Sequence, residues 1–73
     1  MTLPPDLEKL RMLREQEVSQ LAGVALPTLR NWRSDPTKRD RGPRYYKLPG
    51  GSVRYRLSDV LSWIDRGRVG DGR

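Results

Sequence analysis

The stretch "EVSQLAGVALPTLRNWR", Glu17 to Arg33, decides how this chain folds. Its first half places Val18, Leu21 and Ala22 on one helical face. It stops at Gly23, the residue type that most readily takes a left-handed backbone after a helix. Taken back to the acidic residues before it, this half predicts a helix over about Glu15 to Ala22. The second half has Pro27 at a first-turn position, sets Leu29 and Trp32 three apart and is stopped by Pro36, which predicts a helix over Leu26 to Arg33. A tight corner between two helices also needs a small residue four positions before the glycine, here Ser19, and apolar residues at the turn and in the second helix, here Val24 and Leu29. With Leu29 and Trp32 turned inward, Thr28, Arg30, Asn31 and Arg33 are left toward solvent.

Upstream, "LPPDLEKLRML" offers Pro4 and Pro5 as a start, Asp6 and Glu8 in a first turn and Leu3, Leu7 and Leu10 at helical spacing. A short helix over Pro5 to Arg11 is expected. Arg14 is a poor N-cap, so the sequence leaves open whether this helix runs into the next. Downstream, "SDPTKRDRGP", Ser34 to Pro43, reads as a turn-rich loop without apolar residues and as the least ordered internal segment. Beyond it the period changes to two. Tyr46 and Leu48 alternate with Tyr45 and Lys47, and Val53, Tyr55 and Leu57 alternate with Arg54 and Arg56, around "PGGS". That pattern is a β-hairpin with Tyr46 and Tyr55 packed inward and Tyr45 outward. In "LSDVLSWIDRG", Ser58 serves as N-cap, Leu57, Val60, Leu61 and Ile64 form the apolar face and Gly67 is the stop. Trp32 and Trp63 read as core residues, since both fall on or beside apolar faces.

Seventy-three residues make one small domain, divided here into an N-terminal extension over 1–12, a folded domain over 13–66 and a flexible tail over 67–73. Neither cysteine nor histidine occurs, which removes disulfides, zinc fingers and imidazole or thiolate chemistry. No enzyme, metal or cofactor is expected. There is no apolar run long enough for a secretory signal or a membrane span, so the chain reads as soluble and cytoplasmic. From Arg30 to Arg56 nine basic residues face only Asp35 and Asp40, a net +7, while the remainder carries −1. A basic middle between near-neutral ends suits a polyanionic partner.

Helix, glycine turn, helix, basic loop, hairpin and closing helix together make a helix-turn-helix with a wing, mainly α with a small β-hairpin. From about Leu13 to Ile64 the order "EVSQLAGVALPTLRNWR", "GPRYYKL", "VRYRLSDVLSWI" resembles the MerR-like winged-helix proteins, especially phage excisionases and AlpA-like regulators. The shared features are Glu17 and Val18, Gly23, Thr28-Leu29-Arg30 with Trp32, Gly42-Pro43 with Tyr45, Lys47 and Leu48, Val53-Arg54-Tyr55, and Asp59-Val60 with Trp63-Ile64. Arg14 stands where that family has Thr or Ser, Pro27 enters the second helix, and "DPTKRDR" lengthens the loop.

The resemblance implies a monomer that binds duplex DNA. Arg30, Asn31 and Arg33, with Thr28, would enter the major groove, where guanidinium pairs with guanine O6/N7 and carboxamide with adenine. Arg54 and Arg56 on one strand face, with Lys47 across from them, would meet phosphates or a narrow minor groove, and the Tyr45 hydroxyl would reach a phosphate. Excisionase-like function implies cooperative binding of direct repeats, DNA bending and action on a phage integrase. Neighbouring copies would pair Asp6, Glu8, Glu15 and Glu17 with Lys38, Arg39 and Arg41. An AlpA-like regulator would use the same residues at a promoter. A basic module for RNA or protein ranks lower, because the hairpin presents only Tyr45 outward.

Overall fold

The computed structural model describes residues 4–67. Leu3 and the tail expected beyond Gly67 lie outside the described residues. In chain order, a 3₁₀ helix over Pro5–Leu10 is followed by β1 (Met12–Leu13), α1 (Glu15–Ala22) and α2 (Leu26–Ser34). A second 3₁₀ helix (Pro36–Arg41), β2 (Tyr46–Lys47), β3 (Val53–Arg56) and α3 (Leu57–Arg66) complete it. The chain is mainly helical, with a three-stranded antiparallel sheet in the order β1-β3-β2.

The corner between α1 and α2 is built as the sequence predicts. Gly23 sits at φ 70°, ψ 26°, and its N–H donates to the Ser19 carbonyl at 2.9 Å. The Val24 N–H donates to the same carbonyl at 3.2 Å, and Ser19 Oγ donates to the Val24 carbonyl at 2.6 Å. Ser19 is therefore a clamp on the turn as well as a small residue. Pro27 falls at the second position of α2, where a helix has no intrahelical partner for an N–H, so it fits without a lost bond. At the start of α1, Glu17 compensates for Arg14, its carboxylate accepting the Arg14 N–H at 2.9 Å.

The N-terminal segment differs from expectation. It forms a 3₁₀ helix that ends at Leu10, and Arg11 is extended at φ −61°, ψ 140°, which separates it from α1. Met12 and Leu13 then pair with Arg56 and Tyr55 as an edge strand. A boundary between residues 12 and 13 cuts through β1, so the N-terminal residues join the folded body. The Leu57 N–H donates to the Arg11 carbonyl at 2.8 Å. That bond satisfies the first turn of α3, which starts directly from β3 with Arg56, not Ser58, at the cap position. Gly67 ends α3, as expected, its N–H donating to the Ile64 carbonyl at 3.0 Å.

The segment after α2 also departs from the predicted irregular loop. Asp35 accepts from the Thr37 N–H at 2.9 Å and from its hydroxyl at 2.7 Å, capping the second 3₁₀ helix. At its far end Trp63 Nε1 donates to the Arg41 carbonyl at 2.7 Å. Gly42 passes so close to Trp32 that a Cβ there would lie 3.1 Å from the indole. Polar and backbone bonds fix this stretch, which is why apolar periodicity could not show it.

Leu13, Val18, Leu29, Tyr55 and Val60 form the buried core, with Val24, Trp32, Tyr45, Val53, Leu57 and Trp63 packed around them. Trp32 and Trp63 meet edge to face, centroids 6.1 Å apart. Leu21, Leu61 and Ile64, expected on the inner helix faces, are exposed. Strands of two to four residues are too narrow to cover more than the central row of α1 or α3. Among the described residues no helix is long and apolar enough to cross a membrane.

The hairpin register corrects the assignment of its faces. Lys47 pairs with Val53 and Tyr46 with Arg54, and the Leu48 N–H donates to the Ser52 carbonyl at 2.8 Å. The loop between is therefore Pro49-Gly50-Gly51, with both glycines at positive φ, 95° and 93°. Directly paired residues share a face. Tyr45, Lys47, Val53 and Tyr55 lie on the inner side, and Tyr46, Arg54 and Arg56 on the other. Tyr45, expected outward, packs against the core with its ring 6.3 Å from that of Tyr55. Tyr46, expected inward, takes the opposite face.

Candidate nucleic-acid interface

An open groove of ≈ 610 Å³ runs between α2 and the hairpin. The α2 helix supplies Pro27, Arg30, Asn31, Arg33 and Ser34, the second 3₁₀ helix supplies Arg39, and the hairpin segment supplies Tyr45, Lys47 and Val53. Four cationic side chains and no acidic one line it. Of the residues expected to read DNA, the fold thus brings Arg30, Asn31, Arg33, Tyr45 and Lys47 together. Thr28 is half-buried in the first turn of α2 and does not line this groove.

The two α2 arginines are not equivalent. Both bind Glu15 of α1. Arg30 uses Nε to Oε1 at 3.3 Å and Nη2 to Oε2 at 2.8 Å, and Arg33 uses Nη2 to Oε1 at 3.0 Å. Arg33 also donates from Nη1 to the Tyr55 hydroxyl at 2.8 Å, and its guanidinium lies 5.9 Å from the Tyr45 ring centroid. Its side chain is only 17% exposed, against 54% for Arg30. Arg33, expected to reach bases, is instead the bracket that ties α2 to α1 and β3. Arg30 and Asn31 are exposed, and Asn31 Oδ1 accepts from Lys38 Nζ at 3.3 Å.

The electrostatics follow this geometry. The Glu15 carboxyl is held below its ordinary value, first by the hydrogen bond from Arg30, against the opposing effect of desolvation, and further by Arg33. Burial pushes the Tyr55 hydroxyl up. A carboxyl depressed by folding adds stability above its unfolded pKa, near 4.5 for Glu15, and loses it as pH falls through the lower folded value. Thermal stability is expected to drop below about pH 4.5 and the Glu15→Gln variant to show a shallower drop. Unfolding curves at pH 7 and pH 3 check this, and identical acid losses in both chains would refute it. Asp35, lowered mainly by the Thr37 hydroxyl bond, titrates in the same window and remains in the variant.

Lys47, Arg54 and Arg56 do not form the expected trio. Lys47 faces the groove, whereas Arg54 and Arg56 occupy the reverse sheet face with Tyr46. Arg56 stacks 5.1 Å over the Tyr46 ring, and its Nε is buried without a hydrogen-bond partner. Tyr46 donates its hydroxyl proton to Asp59 at 3.2 Å. Arg54 lines a second, polar cleft of ≈ 450 Å³ with Arg14, Gln16 and Ser52, between the start of α1 and the hairpin loop. Arg33 and Val53 line both clefts, which therefore adjoin, and Glu15 is the one acidic residue in the second.

Two features escaped sequence reasoning. Arg39, expected in an irregular loop as a contact for a neighbouring copy, joins the groove from the second 3₁₀ helix. Glu15, read as a helix N-terminal charge available to a neighbouring copy, is instead engaged within the chain. The three-residue spacing of Arg30 and Arg33 shows that they share one helix face, but that this face meets Glu15 of α1 is a tertiary fact with no signal in the sequence. Glu8 also pairs internally, with Arg11 at 3.2 Å. Among the described residues no group of carboxylates is arranged to hold a metal ion. No protein-family model matches the chain, and no curated protein or solved structure is significantly similar to it.

Proposed function

We propose that this chain is a winged helix-turn-helix protein of the MerR-like class that binds duplex DNA, with α2 in the major groove and the β2–β3 hairpin beside it. The observation that carries the reading is the groove between them, lined by Arg30, Arg33, Arg39 and Lys47 with no acidic residue in its lining, Glu15 lying behind the two arginines. An exposed helix edge with an arginine and an asparagine one residue apart suits base edges, and the surrounding cations suit the phosphates that frame them. Arg54, on the outer sheet face, would add backbone contact from the second cleft.

The biological role that fits is that of an excisionase. Such a protein binds adjacent direct repeats in attachment-site DNA as a monomer that associates with neighbouring copies on the duplex, bends it and turns a phage integrase toward excision. The domain performs no chemistry. Its binding energy offsets a bend that costs on the order of 1 to 6 kcal/mol. Support comes from the likeness of its motifs to that family and from the +7 charge of the central segment. With Glu8, Glu15 and Glu17 engaged internally and Arg39 in the groove, contacts between neighbouring copies would rest on the exposed Asp6 and Arg41.

If four to six phosphates are neutralised, log K against log salt is expected to fall with a slope of roughly −4 to −5. A mobility-shift titration measures it, and a flat response would remove the DNA reading. Footprinting and circular-permutation gels on attachment-site DNA test the role. Repeats near one helical turn apart, with bending, support an excisionase. A single unbent palindrome occupied by a preformed dimer, without effect on excision, would favour an AlpA-like promoter regulator.

A further inference from the structure

We infer that Glu15 is a specificity-determining residue: it holds Arg30 by one edge of the guanidinium so that the other edge is presented to a guanine. The inference rests on the DNA-binding reading and adds a residue that never touches a base. Arg30 meets Glu15 side-on, with Nε on Oε1 and Nη2 on Oε2 at 3.3 and 2.8 Å. A guanidinium has five N–H bonds in a planar fork. The side-on pair consumes the Nε–H and one Nη2–H. The remaining end-on edge, Nη1 and the second Nη2–H, has the spacing that pairs with guanine O6 and N7.

Glu15 is itself fixed. Its side chain is 19% exposed, and Oε1 also accepts from Arg33, which is locked on the Tyr55 hydroxyl at 2.8 Å. The chain of contacts from buried Tyr55 through Arg33 and Glu15 therefore ends on the one exposed arginine of α2 that lines the groove. A long side chain that is more than half exposed would otherwise spread over many rotamers and meet any phosphate within reach. Held by Glu15, it meets a base edge in one orientation. The carboxylate also repels phosphates, which penalises non-specific placement.

The test uses the full chain and pools of duplex DNA randomised over a short window. Wild type is expected to select guanine at one position, and replacing that base by 7-deazaguanine should reduce binding by about tenfold, since a bidentate contact loses one of its acceptors. The Glu15→Gln variant is expected to lose most of that preference while binding random duplexes more tightly, with a salt slope steeper by about 0.9 as Arg30 turns to a phosphate. A merely structural role would weaken all sequences alike. An unchanged guanine preference in Glu15→Gln overturns the inference, as does a wild type that binds duplexes without preference. A wild type that binds no duplex overturns the DNA reading beneath it. If Glu15→Gln does not fold, Arg30→Lys keeps the charge but has no fork, and retention of the guanine preference in that variant overturns the inference equally.

Discussion

Trp63→Ala is expected to destabilise the chain by about 3 kcal/mol or more, the usual cost of removing a packed tryptophan. Trp63 is half-buried, packs against the core cluster and meets Trp32 edge-on at 6.1 Å. Its indole N–H donates to the Arg41 carbonyl at 2.7 Å, so the side chain also anchors the end of the second 3₁₀ helix to α3. Arg39, which lines the groove, lies on that helix. Small domains hold roughly 5 kcal/mol at the lower end of the ordinary range, so the loss would leave about 2 kcal/mol, with a few per cent of the chains unfolded at 25 °C. Each kcal/mol lowers the melting midpoint of a chain this size by about 4 to 8 °C, which sets the expected drop above ten degrees. Circular dichroism melts measure it. Trp63→Phe keeps most of the ring contact and loses the hydrogen bond, so its cost should be nearer 1 kcal/mol. A Trp63→Ala midpoint within about two degrees of wild type would contradict the packing role.

What the sequence makes legible here depends on how local the deciding interaction is. Gly23, Ser19 and Val24 act within six residues, and the corner they make is predicted with its helix bounds nearly as found. The β1 strand is two residues long and exists only because β3 lies beside it, forty-odd residues away, so no periodicity announces it. The hairpin faces turn on a parity. A two- or four-residue loop would have put Tyr46 on the side of Tyr55, whereas the three-residue loop Pro49-Gly50-Gly51 puts Tyr45 there, since a one-residue change of register reverses every side chain. Lys47 enters the groove and Arg54 leaves it by the same step. The groove itself was legible as charge between Arg30 and Arg56, but which cations line it is a tertiary property. Arg30 and Arg33 look alike in the sequence. Only the positions of Glu15 and Tyr55 distinguish them.

That distinction gives a second expected result with a large effect. Arg33→Met should lower stability by about 2 kcal/mol, while Arg30→Ala should leave the melting midpoint nearly unmoved. Arg33 is 17% exposed and donates to both Glu15 and Tyr55, so a methionine keeps part of its stem packing but leaves the Tyr55 hydroxyl without its donor. Removing one member of a fully buried charged pair costs about 3 to 5 kcal/mol, and the residual exposure here places the expectation below that range. Arg30, with more than half its side chain in solvent, makes an ion pair of the kind that contributes little to folding. On DNA the order should reverse. Arg30→Ala should lower cognate affinity on the order of tenfold relative to a random duplex, because the end-on guanidinium edge disappears with it. Arg33→Met, assayed well below its melting temperature, should lose only part of the base preference, since Glu15 keeps Arg30 but lacks the contact that fixes it, and some affinity for every sequence. Melts and competition binding on the two variants decide the matter together. If Arg33→Met instead folds as well as wild type and loses base preference as fully as Arg30→Ala, then Arg33 swings out of the Glu15–Tyr55 bracket on binding and the bracket is an unbound-state arrangement, not the support of the interface.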